Sequence, residues 1–79
     1  MDLSEAVRVR ICDLVEEHNL TISRLCTLSG ISRSTLSKIL SGQRRYIRLD
    51  ILEFICEALN IELKDFFDSP VFKNVEVKE

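Results

Sequence analysis

The chain has 79 residues, 46% of them hydrophobic and 30% charged, a balance that excludes a disordered or fibrous chain and predicts one small globular domain. No apolar run approaches the roughly 18 residues a membrane span requires, no export signal is visible, and three cysteines without a close pair suit a reducing compartment, so a cytoplasmic protein is expected. The net charge of −2 argues, as an average, against a polyanionic partner.

Val7, Ile11, Leu14, Val15 and His18 recur at helical spacing and predict a first helix from about Ser4 to His18. Asp2 and Glu5, three residues apart, have the pattern of a capping box. Thr21 is a suitable N-cap for a second, two-turn helix in which Leu25, Cys26 and Leu28 are expected to turn inward, and Gly30 ends it with positive φ. Ser32 caps a third helix reaching about Ser41, with Leu36, Ile39 and Leu40 facing the core and Gly42 as its stop. The exposed side of that helix is Arg33, Ser34, Ser37 and Lys38.

Residues 43–48 read as a basic loop, after which Leu49, Leu52, Ile55, Cys56 and Leu59 mark a fourth helix closed by Asn60. Residues 62–67 add one short helical turn, and Ser69 with Pro70 ends the regular pattern. The expected architecture is all-α, a compact bundle of four to five short helices with a central helix-turn-helix, over residues 1–69. Residues 70–79 are read as a C-terminal tail in which Val75 and Val77 share a side; a flexible tail, an added strand and a dimer arm all fit.

Two short helices joined by a tight Gly-containing turn, the second exposing polar residues with a basic end, match the physical requirements of a DNA reader. Leu25 and Cys26 are expected to pack on Leu36 and Ile39, with Ile31 in the corner between the helices. The second helix, about 13 Å long at about 1.5 Å per residue, fits a major groove about 12 Å wide. Charge supports the same segment. Residues 1–18 carry −3 and residues 50–79 carry −5, whereas residues 19–49 hold no acid and six cations: Arg24, Arg33, Lys38, Arg44, Arg45 and Arg48. Such asymmetry marks a polyanion-facing surface.

Leu25, Cys26, Gly30, Ile31, Leu36 and Ile39 reproduce the pattern of the Cro and C1 repressor type of helix-turn-helix, the XRE family, and the chain resembles that lambda-repressor-like fold over about residues 4–67. The resemblance implies base reading by Ser32, Arg33, Ser34 and Lys38. Chemistry agrees, since Arg33 can pair with guanine O6 and N7, Lys38 can reach guanine or phosphate, and Ser34 can donate or accept. Ser37, one turn on, reaches the same groove edge. Thr21, Ser23 and Ser32 hydroxyls at helix N-termini, Thr35, and the loop residues Gln43, Arg44 and Arg45 are the expected phosphate contacts. Two positions depart from the family pattern: Ile22 stands where Gln is frequent and Ile47 where Pro is frequent.

Cys12, Cys26, Cys56 and His18 are potential zinc ligands, but the three cysteines fall on separate helices and no closely spaced pair of ligands exists, so no metal is expected, and Cys12 and Cys56 are read as small buried residues. With no phosphate-cradling loop and no paired acid and base, no enzyme activity and no cofactor are expected either. The fourth helix has a second apolar stripe, Ile51, Phe54 and Ala58, which with Phe66, Phe67 and Phe72 forms a candidate homodimer interface; the competing reading is a tail folded back over it. Dimers of this kind present two recognition helices about 34 Å apart and bind palindromic operators. The expected function is a sequence-specific double-stranded DNA-binding transcriptional regulator, a repressor of bacterial or phage type. The alternatives are an antitoxin whose tail binds a protein partner, and a protein-interaction module that has lost DNA binding.

Overall fold

The computed structural model describes residues 1–76. Over them the chain forms five α-helices, α1 (Leu3–Glu17), α2 (Ile22–Ser29), α3 (Arg33–Leu40), α4 (Leu49–Leu59) and α5 (Leu63–Phe67), followed by a 3₁₀ segment at Pro70–Asn74. Val77, half of the alternation noted in the tail, lies outside the described residues.

Local chemistry explains the helix starts. The Asp2 carboxylate accepts from the Glu5 amide at 2.9 Å while the Glu5 carboxylate accepts from the Asp2 amide at 3.3 Å, which closes the capping box on α1. Thr21 Oγ1 accepts from the Arg24 amide and Ser32 Oγ from the Thr35 amide, each at 3.1 Å, so both short helices begin at hydroxyl caps. The stops are left-handed residues, Gly30 at φ 76° after α2 and Asn60 at φ 57° after α4. Asn19, at φ 54°, bends the chain between α1 and α2, a turn that no glycine announces.

The core joins Val7, Ile11 and Leu14 of α1 to Leu25, Leu36, Ile39, Leu52, Ile55 and Phe66. α2 packs on α4 as well as on α3, and α1 packs on the 3₁₀ segment. α2 is therefore clamped from two sides, and α3 is free to turn its outer face to solvent.

Several expectations about burial need correction. His18 is exposed at the end of α1, where its Nδ1 bonds the Leu14 carbonyl at 2.8 Å instead of entering the core. Ala6, which the periodic stripe did not include, is fully buried because α1 is covered on a second flank. Leu28 is exposed, since the inward stripe of α2 runs through Ile22, Leu25, Cys26 and Ser29 and leaves it to one side. Leu49 is 79% exposed, because the first residue of α4 projects beyond the body of the bundle. Cys12 also lies on the outside of α1.

Residues 70–76 are built into the same body. Phe72 packs against the core and its ring lies 5.0 Å from that of Phe67, and the Glu76 amide donates to the Met1 carbonyl at 3.1 Å. Phe66, expected on the outer apolar stripe, is fully buried and so cannot face a second subunit. No helix among the described residues is long and apolar enough to cross a membrane.

Candidate nucleic-acid interface

α3 lies on the outside of the molecule because only Leu36 and Ile39 are needed to hold it. Leu25 and Ile31, both buried, complete the corner in which it sits. Gly30 makes the turn with φ 76°, a conformation that costs a residue with a Cβ about 1–2 kcal/mol. The opposite face presents Ser32, Arg33, Ser34, Ser37 and Lys38, all exposed. The five residues expected to read bases therefore form one open surface.

The expected phosphate contacts fall in three places. Thr35 is half-buried and its hydroxyl accepts from Ser32 Oγ at 2.8 Å, so that pair braces the start of α3. Thr21 and Ser23 are exposed at the start of α2, with the Thr21 hydroxyl engaged as a cap and Ser23 Oγ accepting from Arg33 Nη1. Gln43, Arg44 and Arg45 are exposed on the loop beyond α3. That loop is pinned at two points: the Arg44 amide donates to the Lys38 carbonyl at 3.3 Å, and Ser4 Oγ donates to the Arg45 carbonyl at 2.5 Å. The Arg45 guanidinium carbon stands 5.6 Å from the centre of the Tyr46 ring, a cation–π distance.

Among the described residues, the ion pairs are Arg10 with Glu17, Arg48 with Asp50 and Lys64 with Glu62. Arg24, Arg33, Lys38, Arg44 and Arg45 thus have no acidic partner there, whereas Arg48, counted with them in the acid-free stretch, is neutralised at 2.8 Å by Asp50. Unpaired cations on a surface cleared of acids attract polyanions and release counterions on binding. One contributor was hidden by its place in an acidic segment. The Arg8 guanidinium lies 3.9 Å from where a Cβ on Gly42 would stand, which brings a cation of α1 to the end of α3. Only packing reveals that proximity.

The residues considered for a homodimer interface fall apart into exposed and covered members. Phe54 and Phe67 are exposed at 37% and 41%, Ile51, Ala58 and Phe72 are half-buried, and Phe66 is enclosed. A neighbouring, mainly apolar cleft, which the sequence did not suggest, is lined by Leu3, Ser4, Val7, Tyr46, Ile47, Leu49, Leu52 and Phe67. Among the described residues no group of three His, Cys, Asp or Glu side chains is placed to hold a metal ion.

The family model for the Cro/C1-type helix-turn-helix DNA-binding domain matches residues 10–70. A solved structure, described as the crystal structure of the prophage Lp1 protein 11, superimposes with a TM-score of 0.82 at 32% sequence identity, covering 95% of this chain and 100% of that one. No curated protein matches the sequence. The family is one of DNA-binding regulators and not a class of enzyme. With Ile31 buried in its turn, its outward second helix and its match over residues 10–70, the chain belongs to the Cro/C1-type helix-turn-helix family and is, in general kind, a DNA-binding transcription regulator.

Proposed function

We propose that the protein is a sequence-specific transcriptional repressor that binds a palindromic double-stranded operator as a cytoplasmic homodimer, without a cofactor. The observation that carries this reading is the joint exposure of Ser32, Arg33, Ser34, Ser37 and Lys38 beside cations that no acid neutralises. Arg33 and Lys38 supply the guanine-reading donors, and a good bidentate contact discriminates between bases by about 1–3 kcal/mol. Thr21, Ser23, Gln43, Arg44 and Arg45 flank that surface on both sides and serve the phosphates, with the amides at the starts of α2 and α3. Thr35 contributes by fixing Ser32. Repression follows from occupancy, since a bound dimer excludes other proteins from the operator. The dimer contact in this reading uses Phe54, with Ile51 and Ala58 beside it and Phe67 and Phe72 at its edge.

Selection of bound duplexes from a random library at about 150 mM salt tests the proposal, because non-specific phosphate binding is weak at that ionic strength. The wild-type chain is expected to enrich a two-fold symmetric sequence, and the Arg33→Ala, Lys38→Ala double variant to lose that enrichment. Equal, weak recovery by both proteins would exclude base reading by α3. An enriched sequence without two-fold symmetry would exclude the dimer.

A further inference from the structure

The hydrogen bond between Arg33 Nη1 and Ser23 Oγ joins the first turns of α2 and α3 across the helix-turn-helix. Both residues are exposed, so the bond belongs to the outer surface and not to the core. Arg33 has no acidic partner among the described residues, and this is the one side-chain hydrogen bond described for it there. Ile22, the preceding residue of α2, is half-buried against the core and has no polar atom with which to hold it. A long, flexible arginine side chain is therefore restrained at one nitrogen by a residue of the supporting helix.

We infer that Ser23 is a positioning residue that sets the direction of the Arg33 guanidinium and thereby determines sequence specificity at the base Arg33 reads. The inference rests on the assignment of Arg33 as a base reader. Its chemistry is that of a fork held by one tine. The bond occupies one N–H of the guanidinium and leaves the others free to form a bidentate contact with guanine O6 and N7. Ser23 accepts in that bond, so its own hydroxyl hydrogen remains available to donate to a phosphate oxygen. Ser23 thus ties the base-reading side chain to the backbone of the DNA, and Arg33 enters the groove with part of its rotamer freedom already removed. Without the hydroxyl, that ordering cost falls on the binding step and only the correct sequence, where Arg33 is used, suffers from it.

The test compares the 79-residue wild-type chain with Ser23→Ala, Ser23→Thr, Arg33→Ala and the Ser23→Ala, Arg33→Ala double variant. Each is titrated against the duplex that the wild type selects and against a random-sequence duplex of equal length. Ser23→Ala is expected to weaken binding to the random duplex by the loss of one neutral phosphate contact, with its salt dependence unchanged, and to weaken binding to the selected duplex more, so that the ratio of the two affinities falls about three- to tenfold, the cost of immobilising one long side chain. Ser23→Thr, which keeps the hydroxyl, is expected to restore the ratio, and Ser23→Ala is expected to add nothing to Arg33→Ala. An equal loss on both duplexes would reduce Ser23 to a phosphate contact and overturn the inference. A raised ratio would do the same by showing that Ser23 holds Arg33 away from the groove, as would additive effects of the two substitutions. If Arg33→Ala itself left the ratio unchanged, the base-reading assignment would fail first and carry this inference with it.

Discussion

Cys12 and Cys56 carry the same thiol into two different surroundings. Cys56 sits in the core, where burial pushes its pKa up and the Asp65 carboxylate adds to the shift. Cys12 lies on the outside of α1, and its thiol is also raised, by partial desolvation first and by Asp13 second. Both shifts favour the neutral thiol at neutral pH, so thiolate chemistry at Cys12 accelerates as pH rises, while Cys56 adds a steric block. Peptide-resolved labelling with a small alkylating reagent at pH 8 is expected to modify Cys12 first and Cys56 only as fast as the domain unfolds. Equal rates at the two sites would show that α4 is not packed as described. That Cys12 is outside was not legible from its apolar character. It follows Ile11 by one residue, and the roughly 100° step of a helix turns it away from the stripe that the core selects.

The helices themselves were readable with little error, and the reason is local. The third helix was expected to reach about Ser41 and ends at Leu40, and the fourth begins at Leu49 as expected. Caps and stops are encoded within three or four residues: the Asp2 and Glu5 pair, the Thr21 and Ser32 hydroxyls and the left-handed Gly30 each act on neighbours in the chain. Ser32 has two tasks, since it accepts from the Thr35 amide and donates to the Thr35 hydroxyl. Ser32→Ala is expected to lower stability by about 1 kcal/mol, read as a shift of the urea midpoint with an unchanged slope. An unaltered midpoint would mean that packing of Leu36 and Ile39 alone holds α3 in place. What an element-level reading cannot supply is the side chain that crosses from one helix to the next. Arg10 donates to the Phe66 carbonyl at 2.7 Å and the Asp65 carbonyl at 2.8 Å, closing the end of α5 from a position 56 residues away. In the sequence Arg10 is merely one of the cations of an acidic helix.

For the molecule as a whole, Phe66 is the residue that joins the last elements to the first. It is fully buried, its ring is 5.2 Å from Phe67 and 6.2 Å from Phe72, and the backbone on which it stands is held by Arg10. Replacing a buried Phe by Ala costs about 3–5 kcal/mol, against a total of about 4–12 kcal/mol for a domain of this size. Phe66→Ala is expected to lower the thermal midpoint steeply and to weaken DNA binding only in proportion to the unfolded fraction, as followed by circular dichroism on the same samples used for binding. A variant that kept its midpoint would show that α5 and the 3₁₀ segment are peripheral. The sequence by itself determined where helices start and stop, which short helix faces outward, and where acids are missing, because each of these depends on hydrogen bonds, backbone angles or charges close together in the chain. Tertiary structure alone decided that Leu28 and Leu49 stay outside, that Ala6 and Phe66 go in, that Arg8 approaches Gly42, and that Ser23 holds Arg33. Those outcomes depend on which distant segment arrives to cover or to touch a residue, and that is settled only when the helices pack.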